Sequence, residues 1–103
     1  MTHIAEFARG GVRVLALDRE PLNLISPEMV RALAHAFAEH RTTDPLVITG
    51  ANDLFSAGVD TRIYGTLRPQ QRVAFARDIS LMTRYALSLR GPLVAAIPGH
   101  AIG

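Results

Sequence analysis

Cysteine, tryptophan and lysine are all absent from the 103-residue sequence. Without cysteine there is neither a disulfide nor a thiolate metal site, so packing alone must stabilise the fold, as is typical of intracellular domains. The eleven basic residues are all arginines, they are scattered, and the net charge is only +2. Because the arginines form no block of like charge, the pattern argues against a nucleic-acid partner.

Long apolar runs are absent as well. No stretch approaches the roughly 18 apolar residues of a membrane span, and the N-terminus lacks the pattern of a basic, apolar leader. We therefore expect a cytoplasmic protein with no membrane partner. The sequence does contain 49% hydrophobic and 19% charged residues, which is enough apolar material for the core of one small domain.

The first half of the chain predicts a hairpin followed by a helix. Two β-type runs flank Gly10-Gly11, a dipeptide that can supply the positive φ angles of a tight turn. Ser26 suits a helix N-cap, with Pro27 at the first helical position and Glu28 in the first turn. Apolar residues then recur at the spacing of one helical stripe, at Met29, Val30, Leu33 and Phe37.

The second half predicts two strands separated by a long helix. Residues 46–50 have the pattern of a strand covered on both faces, and residues 93–99 that of another buried strand. Segment 69–90 is predicted as an amphipathic helix that stops at Gly91-Pro92. Its apolar positions are Val73, Ala76, Ile79, Met82, Ala86 and Leu89. Strands that alternate with helices in this way predict an α/β chain with right-handed crossovers.

Small residues follow both predicted strands, at Ser56-Ala57-Gly58 and at 99–103. Strand ends of open α/β folds bind ligands because their loops can present backbone N–H groups to an anionic group. Ala57 and Gly58 would let a ligand approach the main chain closely. Two such N–H donors could hold a charged carbonyl oxygen in an oxyanion hole. The alternative is that the tripeptide only makes a tight turn.

Four segments carry a family likeness. The turn G-x-x-x-x-F-S-A-G-x-D covers residues 50–60, and P-L-V-A-A-I-x-G-x-A-x-G covers residues 92–103. Upstream are L-D-R-x-P-x-N-x-x-S at 17–26 and the strand L-V-I-T-G at 46–50. In this order and spacing they resemble the crotonase superfamily, the enoyl-CoA hydratase/isomerase family. The resemblance implies an α/β spiral of β-β-α turns, with residues 1–103 as the N-terminal part of a single domain.

The resemblance also implies an activity and a set of site residues. It implies an enzyme that binds an acyl-CoA thioester and stabilises its enolate, with coenzyme A as part of the substrate, no separate cofactor and no metal. Val59 would give the first oxyanion N–H, and a glycine just after Gly103 would give the second. A homotrimer or a dimer of trimers is implied. The residues implied to bind substrate are Leu22, Leu24, Ala57, Gly58, Val59, Asp60, Thr61, Arg62 and Gly103.

Other side chains offer weaker candidates. Asp60 could be a general base, although a role in holding its loop is favoured. Ser56, His100 and Asp60 are the residue types of a hydrolase triad, but Ser56 lacks the G-x-S-x-G nucleophile elbow, and His100 is better interpreted as a packed or solvated histidine. His35 and His40 lie five positions apart on a helix and therefore on different faces, which makes them a poor metal pair.

Two functional hypotheses remain open. In the first, the chain is part of a longer acyl-CoA enzyme, because a natural terminus seldom follows an apolar strand and glycines directly. In the second, it is a non-catalytic remnant that binds coenzyme A or an oligomer partner through strand edges. Arg62, Arg68 and Arg72 could contact CoA phosphates, whose geometry a guanidinium matches, or be solvated. Hydration, double-bond shift, dehalogenation and C–C cleavage all stay open, because the acid/base residues would follow Gly103.

Overall fold

The computed structural model describes residues 2–103 as a four-stranded sheet with helices packed against it. The elements are β1 (Ile4–Arg9), β2 (Val12–Leu17), α1 (Pro27–Glu39), β3 (Leu46–Gly50), α2 (Thr61–Thr66), α3 (Pro69–Leu87) and β4 (Leu93–Ala95). The strand order is β1-β2-β3-β4. The β1–β2 pair is antiparallel, whereas β2–β3 and β3–β4 are parallel. The α/β class predicted from the sequence is therefore confirmed.

The opening hairpin forms where the sequence predicts it. Gly10 and Gly11 have φ angles of 57° and 79°, a region that side chains with a Cβ rarely occupy. The register pairs Arg9 with Val12 across the turn and Ile4 with Leu17 at the far end. This register directs alternate residues of β2 toward the helices, since successive side chains of a strand point to opposite faces.

The core lies between the sheet and α1. The Ser26 hydroxyl accepts the Met29 N–H at 3.2 Å, which confirms the predicted N-cap. The predicted stripe of α1 is confirmed as well, because its four apolar residues are all buried. The main core cluster consists of Leu15, Leu17, Met29, Leu33, Phe37 and Leu46. Met82, Ala86 and Leu89, toward the C-terminal end of the α3 segment, pack against this cluster.

Helix α3 departs from the prediction in its end and in its buried face. It ends at Leu87, three residues before the predicted position. Val73 is 59% exposed and Phe75 is buried, although the predicted stripe contained Val73 and not Phe75. Only the later part of α3 packs on the core cluster, whereas Phe75 at its beginning contacts the ring of Tyr64 in α2. No helix within residues 2–103 is long and apolar enough to cross a membrane.

The two later strands are less buried than predicted. In β3 only Leu46 is buried, and all three residues of β4 are exposed. The prediction that β3 is covered on both faces and that β4 is buried is therefore wrong. The physical reason is position: β4 forms the edge of the sheet, and Val14 and Val47 line an open groove on the face opposite α1.

The parallel strands bring three turns together. Because β2, β3 and β4 run in the same direction, their carboxyl ends lie at one edge of the sheet. The chain leaves that edge through residues 18–26, 51–60 and 96–103. These three segments are called here the first, second and third turns. They contain the residues that the family resemblance implicates in substrate binding, apart from Thr61 and Arg62, which open α2.

Candidate active site

The side chain of Asn23 joins the first turn to the second. Asn23 has no exposed surface and a φ angle of 49°, a conformation that asparagine tolerates better than most residues. Its Oδ1 accepts the Arg19 N–H and the Asn52 Nδ2, each at 2.9 Å. Its Nδ2 donates to the main-chain oxygens of Ala51 at 2.7 Å, Phe55 at 3.2 Å and Leu54 at 3.4 Å. One buried amide thus satisfies groups in both turns.

Ser56 continues this connection through its hydroxyl group. The Ser56 Oγ donates to the Asn23 main-chain oxygen at 2.8 Å and accepts the Gly58 N–H at 3.0 Å. The side chain is buried, and its hydroxyl proton is committed to Asn23. The geometry therefore gives Ser56 a structural role, in agreement with the sequence reasoning against a hydrolase triad.

Asp60 and Arg19 form a second link between these turns. Arg19 Nη1 lies 2.7 Å from Asp60 Oδ2 and also donates to the Leu24 main-chain oxygen at 3.1 Å. The other carboxylate oxygen, Oδ1, accepts the N–H groups of Arg62 and Ile63, which makes Asp60 the N-cap of α2. Both oxygens are thus engaged, which supports the interpretation of Asp60 as a loop-holding residue.

These contacts have a consequence for stability against pH. The Arg19 guanidinium first, and then the Ile63 N–H, lower the pKa of the Asp60 carboxyl below its ordinary value of 3.8. A carboxyl whose pKa is lowered by folding stabilises the folded state at pH values above that ordinary value. The contribution of Asp60 is lost as the pH falls through its lower folded-state pKa.

The residues before and after Val59 are both hydrogen-bonded to Ile25, which lies along one edge of this segment. The Ile25 N–H donates to the Gly58 oxygen, and the Asp60 N–H donates to the Ile25 oxygen, both at 2.9 Å. Since successive N–H groups of an extended segment point in opposite directions, the Val59 N–H points away from Ile25. Within residues 2–103 it has no hydrogen-bond acceptor. Val59 therefore offers an unpaired main-chain donor held in place by bonds on both neighbours.

The second and third turns pack closely because both contain glycine. Gly58 and Gly103 have φ angles of 98° and 100°. A Cβ at Gly58 would come within 2.9 Å of the Ile102 oxygen, and one at Gly103 within 2.9 Å of the Gly58 Cα. The Ile102 N–H also donates to the Ser56 oxygen at 2.9 Å. The close approach permitted by Gly58 is thus made here by the third turn of the chain itself.

A cleft of about 310 Å³ opens beside this contact. It lies between the second and third turns, and Val59 stands on its wall. The residues that line it include Ile25, Ser56, Gly58, Val59, Ile102 and Gly103. Few of these side chains are polar, so the polar groups available to a ligand are chiefly those of the main chain.

Most of the predicted substrate-binding residues lie around the place where the three turns meet. The Ala57 N–H donates to the Leu22 oxygen at 3.0 Å, which brings the first turn against the second. Leu22 is 47% exposed, whereas Leu24 is only partly exposed. Thr61 and Arg62 are exposed and begin α2. The part that all these residues play in binding a substrate stays a prediction.

The other candidates lie apart from a common chemical centre. His100 uses its main-chain oxygen to accept the Phe55 N–H at 2.9 Å, while its residue surface is exposed. The ring of His40 is 2.8 Å from the Asp44 oxygen, and His35 is exposed on α1. The described part of the chain, residues 2–103, contains no group of three or more His, Asp or Glu side chains that could hold a metal ion.

Three features of this region were not predicted from the sequence. The roles of Asn23 and Arg19 were not predicted, because their side chains contact partners far away along the chain. Helix α2, which begins at Thr61, was not predicted either. The signal for α2 was Asp60, a good N-cap residue directly before Thr61.

Comparison with known proteins identifies the fold. The structure superposes on the crystal structure of enoyl-CoA hydratase from Thermoplasma volcanium GSS1 with a TM-score of 0.85 and 27% identity, covering 96% of this chain and 41% of that one. The predicted α/β crotonase-like fold, in its N-terminal part, is confirmed. The family model described as Enoyl-CoA hydratase/isomerase matches residues 8–103. The chain belongs to the enoyl-CoA hydratase/isomerase family.

Curated relatives agree with this assignment. The chain is 30% identical over 96 residues to the "Probable enoyl-CoA hydratase EchA17" of Mycobacterium tuberculosis (strain ATCC 25618 / H37Rv), covering 90% of this chain and 37% of that protein. It is 29% identical over 103 residues to the "Peroxisomal fatty acid beta-oxidation multifunctional protein" of Oryza sativa subsp. japonica, covering 95% and 14% respectively. The chain therefore spans well under half the length of the relatives it matches.

Because Asn23 links the first turn to the second, we expect the stability of the site to be most sensitive to substitution at this position. We expect Asn23→Asp to lower the free energy of unfolding by about 3 kcal/mol or more, because a carboxylate cannot donate to the oxygens of Ala51 and Phe55 and faces them with like charge. Burial raises the pKa of the introduced carboxyl, so the loss should grow as the pH rises above about 4. Urea unfolding at several pH values measures it.

The matched control is Gln70→Glu, the same amide-to-acid change at an exposed position of α3. It should change the free energy of unfolding by less than about 0.5 kcal/mol. If Asn23→Asp is no more destabilising than Gln70→Glu, then Asn23 does not hold the turns together.

Proposed function

We propose that the protein is an acyl-CoA-binding enzyme of the enoyl-CoA hydratase/isomerase type, in which the Val59 N–H stabilises the enolate oxygen of the thioester. The observation that carries the proposal is the unpaired Val59 N–H, fixed beside a cleft by hydrogen bonds on both sides of the residue. A main-chain donor that is already held in place and makes no hydrogen bond within the fold can stabilise negative charge that develops only during the reaction.

The chemistry follows from where the negative charge goes. Removal of an α-proton, or addition at the β-carbon of an enoyl thioester, moves charge onto the carbonyl oxygen. A main-chain donor at that oxygen therefore serves hydration and double-bond shift alike, and the acid/base groups decide between them. The names of the relatives, which include an enoyl-CoA hydratase and a fatty acid beta-oxidation protein, support an acyl-CoA substrate.

The substrate would bind where the three turns meet, in a definite orientation. The thioester carbonyl would lie in the cleft between Val59 and Gly103. The coenzyme A portion would follow the loop from Ala57 to Arg62, with Leu22 and Leu24 beside it. Coenzyme A enters as part of the substrate, and the proposed chemistry uses no separate cofactor.

We further propose that residues 1–103 are the N-terminal part of a single crotonase-like domain. The fraction of each relative that the chain spans supports this proposal. The second oxyanion donor and the acid/base carboxylates would then follow Gly103, and residues 1–103 alone should be inactive. A cytoplasmic location stays a prediction.

Substitution of Val59 separates main-chain from side-chain catalysis. Val59→Ala keeps the N–H and should leave the turnover of a small enoyl-CoA by the full-length protein within a few-fold of the parent. Val59→Pro removes the N–H and should lower turnover by about 10²–10³. Because the Val59 N–H has no acceptor within residues 2–103, proline removes no internal hydrogen bond at this position.

Two controls make the Val59 result decisive. Circular dichroism must show that the proline variant folds, and calorimetric titration must show that it still binds an acyl-CoA more tightly than the matching free acid. A folded variant that binds acyl-CoA and retains nearly parental turnover would show that Val59 is not an oxyanion donor. If the parent does not prefer the thioester over the acid, then the acyl-CoA proposal itself is wrong.

We also propose that the full-length protein forms a homotrimer or a dimer of trimers. The proposal follows from the resemblance to the crotonase superfamily. Apolar residues exposed at and after the edge strand β4 offer surface that the rest of the domain and a partner subunit would share, since exposed apolar patches mark interaction sites. They are Leu93, Val94, Ile97 and Ile102. Light scattering at micromolar concentration should give three or six times the monomer mass, and a stable monomer would contradict the proposal.

A further inference from the structure

A second cleft lies between α2 and α3 and shares Val59 with the first. It has a volume of about 380 Å³. Its walls are mainly apolar, formed by Val59, Phe75, Ala76 and Ile79, with Thr61 and Tyr64 on the α2 side. Because Val59 stands on the walls of both clefts, the two clefts adjoin at this residue.

Arg72 brings the one formal charge among the residues that line this second cleft. Its guanidinium carbon is 4.8 Å from the centroid of the Tyr64 ring, within the range of a cation–π contact. The Tyr64 ring in turn lies 6.3 Å from the ring of the buried Phe75, at an interplanar angle of 51°. The Tyr64 ring, tilted against Phe75, thus gives the guanidinium a contact at the side of the cleft.

No carboxylate neutralises Arg72 within the part of the chain that the structure describes. The ion pairs between side chains there are Arg13–Glu6, Arg19–Asp60 and Arg31–Asp78. Two acidic residues, Asp60 and Asp78, are adjacent in sequence to lining residues of the cleft, and both are engaged elsewhere. Asp60 uses both carboxylate oxygens on Arg19 and the start of α2, and Asp78 pairs with Arg31 at 3.8 Å. A guanidinium beside apolar walls and without an acidic partner favours an anionic ligand.

We propose that this cleft receives the distal end of an acyl chain that terminates in a carboxylate, with Arg72 as the ion partner of that carboxylate. The proposal rests on the proposed function, because it uses the Val59 N–H to place the thioester end. The methylene groups would pack on Val59, Phe75 and Ile79, and the carboxylate would meet the guanidinium over Tyr64. The substrate class is thus an ω-carboxyacyl-CoA rather than an acyl-CoA with a methyl end.

The apolar walls favour this ligand over a phosphate of coenzyme A. A phosphate group carries no methylene chain to cover Phe75 and Ile79, whereas an acyl chain does so before it reaches Arg72. The two ligands also differ in an observable way. If Arg72 bound a CoA phosphate, its loss would weaken every CoA thioester equally, whatever the end of its acyl chain.

The test compares two six-carbon 2-enoyl-CoA substrates, one ending in a methyl group and one in a carboxylate, on the full-length protein. The ratio of their kcat/KM values, carboxylate over methyl, should be at least about tenfold lower in Arg72→Gln than in the parent. Arg72→Lys, which keeps the charge, should retain part of the preference. Arg77→Gln, an exposed arginine on the same helix, should leave the ratio unchanged.

Calorimetric binding of the two saturated acyl-CoA analogues completes the experiment and separates its outcomes. A ratio unchanged by Arg72→Gln, or an equal loss for both substrates, overturns the assignment of Arg72 while leaving the proposed function intact. A parent that does not favour the carboxylate over the methyl end overturns it as well. Failure of both thioesters to bind or react contradicts the proposed function, and with it this inference.

Discussion

The buried amide of Asn23 is the interaction on which the rest of the site depends. It lies in the first turn, its Nδ2 serves carbonyl oxygens of the second, and its own main-chain oxygen accepts the Ser56 hydroxyl. Leaving such groups unpaired in the interior costs about 1–3 kcal/mol each. The first turn therefore fixes the path of the second, and Ile25 can then pair with the main chain on either side of Val59.

The proposed site, which relies on main-chain donors, makes different demands on the sequence from a site built from side chains. The position of an N–H is set by the path of the chain, so the donor at position 59 does not depend on the identity of the Val59 side chain, whereas the neighbouring residues are constrained. Gly58 must lack a Cβ because the Ile102 oxygen would lie 2.9 Å from it. Asp60 must keep both carboxylate oxygens engaged, since one pairs with Arg19 and the other begins α2. The geometry of the proposed donor is thus encoded beside Val59 rather than at it.

Local chemistry was enough to predict much of the fold. Gly10-Gly11 and Ser26-Pro27 act through φ angles and a hydrogen bond close in sequence, and the hairpin and α1 appear where these signals place them. Burial was harder to predict, because it depends on what covers a strand. Residues 93–95 have the composition of an apolar strand whether or not other residues cover them. Their position at the sheet edge leaves them exposed.

The candidate site divides in the same way. The family resemblance singled out Val59 from the turn pattern alone, and the role of Asp60 in holding its loop is supported by its contacts. Asn23 could not be given its role, because its partners lie 28 to 32 residues away along the chain. The contact of Arg72 with Tyr64 was hidden for a similar reason, since it requires α2, a short helix that has little periodicity to detect.

The most direct measurement is the amide proton shift of Val59 in the ¹⁵N-labelled full-length protein. The protein is titrated to full occupancy with an acyl-CoA that has no double bond, which carries the thioester carbonyl but cannot react. We expect the Val59 amide proton resonance to move downfield as this N–H donates to the carbonyl oxygen. Free coenzyme A, which lacks the carbonyl, should leave this resonance nearly unchanged. A Val59 amide that stays in place while acyl-CoA saturates the protein, or that moves equally with free coenzyme A, would contradict its role as the oxyanion donor.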